Sequence, residues 1–289
     1  MENKVDVSIL IPAYNEEEAI GPVIAEVKEA MKKSPQDYEI LVVDDASTDG
    51  TAERAKGEGV RVLRRPVRGG SGASRRTGIE TARGEIVVML DGDGSYDPRD
   101  IPELLKHFPD YDQVNGARTS EEGTLKLLRA PAKWFIRKLA CYLTKTEIPD
   151  LNTGLKAFKR EIMKKYLWVL PDGFSCVTTM TLAFLSNGHA VKYVPTHYRK
   201  RIGKSKFHPI RDTASYFNTV LRMVMYFNPL RVFMPASGIL LLFAIIKSIA
   251  SFSTTSTLQE SDVILFVGAL MLAALGLIAD LIVAYHNRQ

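Results

Sequence analysis

The stretch IVVMLDGDGS, residues 86–95, decides the fold. Its apolar, β-branched half reads as a buried strand over Glu85–Leu90. The run stops on Asp91 and Asp93, with glycines after each to turn the chain. Two carboxylates one residue apart at a strand end suit a hard cation such as Mg2+ or Mn2+, leaving further positions for phosphate oxygens and water. The same spacing occurs in ordinary loops, and its place directly after a strand gives it weight.

Upstream, strands are expected at Val7–Ile11, Tyr38–Val43 and Val60–Arg64. Between them lie helical patterns over Glu16–Lys33, Thr48–Gly57 and Ser71–Arg83. The first carries Ile20, Ile24, Val27 and Met31 on one face. The second has Ser47, Thr48 and Asp49 as capping candidates. This alternation predicts an α/β fold: a Rossmann-like, mostly parallel sheet with helices on both faces. Downstream the pattern loosens. A short helix is expected at Pro102–His107, a strand at Asp112–Gly116, helices at Leu125–Leu143 and Asp172–Asn187, and a strand at Ala190–Val194.

Open parallel sheets bind ligands beyond the carboxyl ends of their strands. Four such ends carry ligand-suited residues here: Pro12-Ala-Tyr14-Asn15-Glu16, Asp44-Asp45, Arg68-Gly-Gly70-Ser-Gly72, and the Asp91–Ser95 turn. One would be an ordinary turn, whereas four in order suggest a built site. Competing motifs fail. Gly70-Ser-Gly72 lacks the third glycine of a dinucleotide fingerprint, and Gly203-Lys204-Ser205 has Tyr198 where a P-loop needs glycine. The histidines show no metal spacing.

The chain has 289 residues, a net charge of +5 and two cysteines, Cys141 and Cys176, too few for a disulfide scaffold. The charge is uneven: seven cations and no acid lie between Lys192 and Arg211. No aromatic-interleaved module accompanies them, so anionic lipid headgroups or a lipid phosphate are better partners than nucleic acid. Two apolar runs follow, Val232–Phe252 and Val263–Tyr285, each long enough to cross a bilayer core of about 30 Å. Arg231, His286 and Arg288 at their outer flanks, with no Lys or Arg in Ser253–Asp262, place the large domain and the C-terminus on the cytoplasmic side. Lys247 and Asp280 interrupt the runs too far apart in depth to pair, so Lys247 is expected to snorkel or to reach another protomer. The expected organisation is a catalytic domain over 1–209, an amphipathic interface helix over 210–229 and a transmembrane hairpin over 230–289.

PAYNE at 12–16, VVDDASTDGT at 42–51 and DGDG at 91–94 resemble the landmark segments of glycosyltransferase family 2, which has the GT-A fold. The resemblance covers about residues 5–230. Gly116-Ala-Arg118, Arg129, DLNTGLKAFKRE at 150–161 and YRKRIGKSKF at 198–207 are similar to the family's polyprenyl-phosphate branch. That branch includes dolichyl-phosphate mannose synthase and undecaprenyl-phosphate glucosyltransferases, and the two-helix tail is similar to the latter. The resemblance implies a metal-dependent, inverting hexosyltransferase that moves a sugar from a nucleotide-sugar to a polyprenyl phosphate, with a UDP-hexose preferred and GDP-mannose next. It implies that Pro12, Tyr14, Glu16, Asp44, Asp45 and Gly70 hold the nucleotide. Asp91 and Asp93 would bind Mg2+ or Mn2+ and the diphosphate. Arg118, Arg129, Arg199, Arg201, Lys204 and Ser205 would surround the acceptor phosphate. Asp93, Asp150, Arg118 and Arg129 form the implied catalytic set, and relatives suggest a homo-oligomer, such as a tetramer. Two other readings stay open: a non-lipid acceptor, and a membrane-tethered sugar-nucleotide binder without turnover.

Overall fold

The structure is a computed structural model that describes residues 5–118, 137–142, 144–173, 175–202, 221–222 and 225–286. The chain divides into two compact units, one over residues 1–220 and one over 221–289.

The first unit is built on a seven-stranded sheet ordered β3-β2-β1-β4-β6-β5-β7. Its strands are β1 (Val7–Ala13), β2 (Tyr38–Asp44), β3 (Arg61–Arg64), β4 (Ile86–Met89), β5 (Gln113–Arg118), β6 (Lys156–Lys159) and β7 (Val191–Thr196). β1 to β4 are mutually parallel, as the alternation predicts. Successive side chains of a strand point to opposite faces, so each strand feeds two cores. Ile9 and Ile11 join Val42 and Val88 under α1 (Glu17–Met31) and α4 (Ile101–Leu105). Leu10 joins Leu41, Val43 and Met89 under α3 (Ser71–Thr81) and α6 (Cys176–Ser186). Helix α2 (Thr51–Gly57) adds Ala55 to the first of these cores, and α5 (Arg160–Lys164) adds Met163 to the second. α2 starts three residues later than expected, because Asp49 accepts from the Thr51 N–H at 3.1 Å and so shapes the turn before the helix. The helix expected over 125–143 is seen only at 137–142; the rest of it lies outside the described residues, as does most of the expected interface helix.

The sequence pattern gave no sign of β6. It is four residues long, begins and ends on lysine, and runs antiparallel between β4 and β5. Lys156 on it is fully buried. Its Nζ donates to Thr181 Oγ1 at 2.7 Å and Asn115 Oδ1 at 3.1 Å. Gln113 Nε2 donates to the same two oxygens. Burial, opposed by nearby Asp150, pulls this ammonium down to about 7.

The second unit holds α7 (Leu230–Thr255) and α8 (Glu260–His286), of 26 and 27 residues. At 1.5 Å per residue each reaches about 40 Å, more than the ~30 Å apolar core of a bilayer. Ser237 Oγ donates to the Ala269 carbonyl at 2.8 Å between them. Most of their large apolar side chains are exposed, including Leu242, Ile246, Leu270 and Leu281. Lys247 Nζ donates to Asp262 Oδ1 at 2.7 Å and to Ser261 Oγ at 2.5 Å. Asp262 lies at the opening of α8, so the pair closes the hairpin at its turn.

Lys156 makes stability depend on pH in a stated direction. Its folded value lies below the ordinary 10.5, so the unfolded chain binds more protons between those limits. Stability is therefore expected to rise as pH increases from about 7 toward 10, and to lose no more from this group below 7. Thermal unfolding of the wild type and Lys156→Met across this range checks it: the variant should lack that component of the rise.

Candidate active site

The first two strand ends are stitched together. The Asn15 N–H donates to Ser47 Oγ at 2.9 Å, and the Thr48 N–H donates to Asn15 Oδ1 at 2.9 Å. The Glu16 N–H donates to Thr51 Oγ1 at 2.8 Å. Asn15 and Ala46 both take left-handed backbone, with φ of 50° and 58°. A non-glycine residue sits there only where its surroundings hold it, a pattern common at functional sites. Pro12, next to last in β1, lies opposite Val43, and Arg68 lies over the Tyr14 ring, 4.0 Å from its centroid.

The two aspartates of β2 do different work from that expected of a matched pair. Asp44 is fully buried; its carboxylate accepts from the Ser47 N–H and pairs with Arg64 at 3.4 Å. These contacts shape the turn after β2. Asp45 binds Arg65 Nη1 at 2.5 Å, the Gly69 N–H at 3.0 Å and the Gly70 N–H at 2.7 Å. It thus ties the glycine-rich loop to the sheet. Gly70 has a φ of 94°, and a Cβ there would lie 2.5 Å from the Asp172 carbonyl oxygen, so only glycine fits.

At the end of β4, Asp91 Oδ1 accepts from Arg75 Nη2 at 2.5 Å. Arg75, on α3, is 4% exposed, and its Nε and Nη1 have no hydrogen-bond partner among the described residues. It was not among the expected site residues, because an arginine amid Ser-Arg-Arg on a helix reads as solvated surface. Burial pushes the Asp91 carboxyl up; Arg75 opposes this, and the Asp93 charge adds to it. Asp93 Oδ1 accepts from the Ser95 N–H at 3.0 Å and Ser95 Oγ at 2.5 Å. Tyr96 OH accepts from the Gly154 N–H at 2.6 Å, which brings the segment before β6 against the turn. A Cβ on Gly154 would lie 2.4 Å from Asp91 Oδ2, so glycine makes the room that this carboxylate uses.

Arg118, at the end of β5, meets Asp150 through two parallel bonds, Nε to Oδ2 at 2.7 Å and Nη2 to Oδ1 at 2.9 Å. The Asn152 N–H adds a third donor at 3.0 Å. Burial would raise the Asp150 carboxyl, but the Arg118 bonds outweigh it and hold the group below the ordinary carboxylate range. A general base works best with its pKa near the operating pH, so Asp150 is suited to fixing Arg118 and not to taking a proton. Arg118 also lies over the Tyr198 ring, 5.3 Å from its centroid.

Residues 198–202 cross the turn as a strap. The Arg199 N–H donates to the Ser95 carbonyl at 2.8 Å, and the Ile202 N–H to the Asp93 carbonyl at 2.9 Å. Tyr198 and Tyr96 meet edge to face, with centroids 5.2 Å apart. Arg199 meets Asp97 at 2.6 Å and Glu26 at 2.8 Å, which anchors the strap. Arg201 Nη1 lies 3.3 Å from Asp93 Oδ2. The structure therefore brings together Asp91, Asp93, Arg118, Asp150 and Arg201. Arg129, Lys204 and Ser205 lie outside the described residues.

A mostly parallel sheet with a polar carboxyl edge and an acidic turn after β4 is the architecture of a GT-A glycosyltransferase. The chain belongs to glycosyl transferase family 2, whose family model matches residues 8–167. A second model, the GtrB C-terminal hairpin, matches residues 228–285. Glycosyltransferase AglJ of Haloferax volcanii is 30% identical over 98% of this chain and 95% of its own length. Dolichyl-phosphate hexose transferase of the same organism is 28% identical, covering 76% of this chain and 94% of its own. Dodecaprenyl-phosphate galacturonate synthase of Rhizobium johnstonii is 27% identical over 70% of this chain, which spans 62% of that protein's length. Among solved structures, glucosyl-3-phosphoglycerate synthase of Mycobacterium tuberculosis, in complex with Mn2+, UDP and glucosyl-3-phosphoglycerate, superposes with a TM-score of 0.62 at 22% identity. That likeness covers 76% of this chain and 80% of the other, and it shows the shared fold.

The Arg118–Asp150 fork is 15% and 12% exposed on its two sides. Removing one member of a buried pair strands the other, so Arg118→Ala is expected to cost about 2–4 kcal/mol of stability. Arg118→Ala/Asp150→Ala should cost less than the sum of the single changes. Chemical denaturation of the four proteins measures the coupling, and strictly additive losses would show that there is none.

Proposed function

We propose that this protein transfers a hexose from a nucleotide-sugar to the phosphate of a polyprenyl lipid at a membrane surface. One observation carries the reading: the acidic turn, the Arg118–Asp150 fork and the Arg201 strap meet at one edge of the sheet in a chain that also holds an exposed apolar hairpin. The similarity to dolichyl-phosphate hexose transferase and dodecaprenyl-phosphate galacturonate synthase supports the same acceptor class. A UDP-hexose is the preferred donor and GDP-mannose the next. Support for UDP comes from the hairpin's likeness to the undecaprenyl-phosphate glucosyltransferase type. We place the domain and both outer ends of the hairpin on the cytoplasmic side, on the strength of Arg231, His286 and Arg288.

The residues present fit a divalent cation. Asp91 and Asp93 offer hard carboxylate oxygens, and Gly154 leaves space beside Asp91 Oδ2. Among the described residues no cluster of three or more His, Cys, Asp or Glu could hold a metal, so the other coordination positions fall to donor phosphates and water. Bound there, Mg2+ or Mn2+ would act as a Lewis acid on the departing diphosphate.

The protein's own residues do the rest. Tyr14, Arg68 and the Asp45-anchored loop cradle the nucleoside beside the PAYNE turn. Arg75 holds Asp91 in place, and its guanidinium charge beside that carboxylate helps relieve charge as the diphosphate departs. Asp150 fixes the orientation of Arg118, which grips the acceptor phosphate together with Arg201; Arg129, Lys204 and Ser205 complete that grip. A phosphate monoester oxygen is already anionic near neutral pH, so it needs positioning and charge relief more than a base. It attacks the anomeric carbon opposite the nucleotide, which inverts that centre. The hairpin keeps the lipid chain in the bilayer while its head reaches the site.

The test is transfer of radiolabelled sugar from separate UDP- and GDP-sugars into the organic phase, with added polyprenyl phosphate and Mn2+. Label should enter the lipid from one donor class and fall by about 10²-fold or more in Asp93→Asn, the scale of losing one electrostatic stabiliser. Absence of lipid label from every donor would refute a lipid acceptor.

A further inference from the structure

The two carboxylates of the acidic turn are already neutralised one to one: Asp91 by Arg75 and Asp93 by Arg201. The two arginines are held very differently. Arg75 is 4% exposed, on a helix packed under the sheet, and lies 2.5 Å from its partner. Arg201 is 38% exposed, lies on the strap, and approaches Asp93 at 3.3 Å. The strap backbone does not depend on that contact. Arg199 pins it to Asp97 and Glu26, and the Arg199 and Ile202 N–H groups bond to the Ser95 and Asp93 carbonyls.

A divalent cation on Asp91 and Asp93 adds two positive charges beside two guanidiniums. Like charges sharing one carboxylate repel each other, and the repulsion is strong where water is scarce. One arginine has to yield. Arg75 has no solvent to turn into, whereas Arg201 can leave by side-chain rotation alone.

We propose, building on the donor site above, that Arg201 is a charge-exchange residue: it occupies Asp93 before a divalent cation arrives, yields that carboxylate to the cation, and then turns to the acceptor phosphate. Arg201 thereby couples the two halves of the site. Cation and donor bind first, and their arrival frees a guanidinium for the acceptor. The coupling is reciprocal, so an anion that draws Arg201 away also tightens the cation site.

The experiment is a titration of the full-length protein in detergent with Mn2+ alone, with free Mn2+ followed by electron paramagnetic resonance. The proteins are the wild type, Arg201→Gln, Arg201→Lys and Asp93→Asn. Removing the competing charge should tighten Mn2+ binding about tenfold in Arg201→Gln, within the usual range of coupling between two sites. Arg201→Lys keeps the charge and should stay near the wild type, while Asp93→Asn should lose the site. If Asp93→Asn loses binding but Arg201→Gln is unchanged or weaker than the wild type, the exchange is overturned and the metal site stands. If Asp93→Asn binds as the wild type does, the cation is not held at Asp93, and both the site and the exchange fall. A second titration, with farnesyl phosphate as a soluble acceptor probe, should show Mn2+ raising its affinity in the wild type and not in Arg201→Gln. Equal enhancement in both would also overturn the exchange.

Discussion

The close packing of the Gly154 backbone against the Asp91 and Tyr96 side chains of the turn after β4 is the constraint on which the rest of the site depends. β6 runs antiparallel beside β4, so the chain entering β6 arrives at the carboxyl edge of the parallel strands. Only there can Asp150 lie near Asp91. The Gly154 N–H bonds to Tyr96 OH, and the absent Cβ leaves room for the Asp91 carboxylate. A side chain at 154 would push the two segments apart and separate the metal-ligand pair from the Arg118–Asp150 fork. One antiparallel strand in a mostly parallel sheet thus joins the donor half of the site to the acceptor half.

Electrostatics in this site work by matched pairs. Asp45 is paired with Arg65, Asp91 with Arg75, Asp97 with Arg99 and Arg199, Asp93 with Arg201, and Asp150 with Arg118. Such a site is near neutral at rest, which lowers the cost of burying so many charges. It also means that each incoming charge has to displace or reorient one already present. Pairs with short, buried contacts fix geometry. Of the two arginines on the Asp91–Asp93 turn, Arg201 makes the longer and more exposed contact, so it has the freedom to change.

The hairpin follows a different rule. Its two helices satisfy their own backbone bonds and expose apolar side chains, as a lipid-facing segment requires. Two polar contacts join its helices: Ser237 reaches a carbonyl on the facing helix, and Lys247 meets Asp262 at the turn.

The first four strands, their helices, the acidic turn and the hairpin were legible in the sequence because each is a local pattern. A strand buried on both faces has to be apolar throughout, and a membrane helix has to be long and apolar. β6 was not legible: Lys-Ala-Phe-Lys looks like surface, and only tertiary contacts with Thr181 and Asn115 make a buried Lys156 tolerable. Arg75 was hidden for the same reason, since burial of a helical arginine is set by what packs over it. Composition also could not divide labour among like residues. Asp44 and Asp45 are neighbours, yet the strand sends one inside and leaves the other at the loop; Arg199 and Arg201 stand two apart, yet one anchors the strap and the other faces the acidic turn. Residue type determined which chemistry this protein holds. The partner that each charge meets was decided only when the chain folded, because pairing depends on distances between segments far apart in sequence.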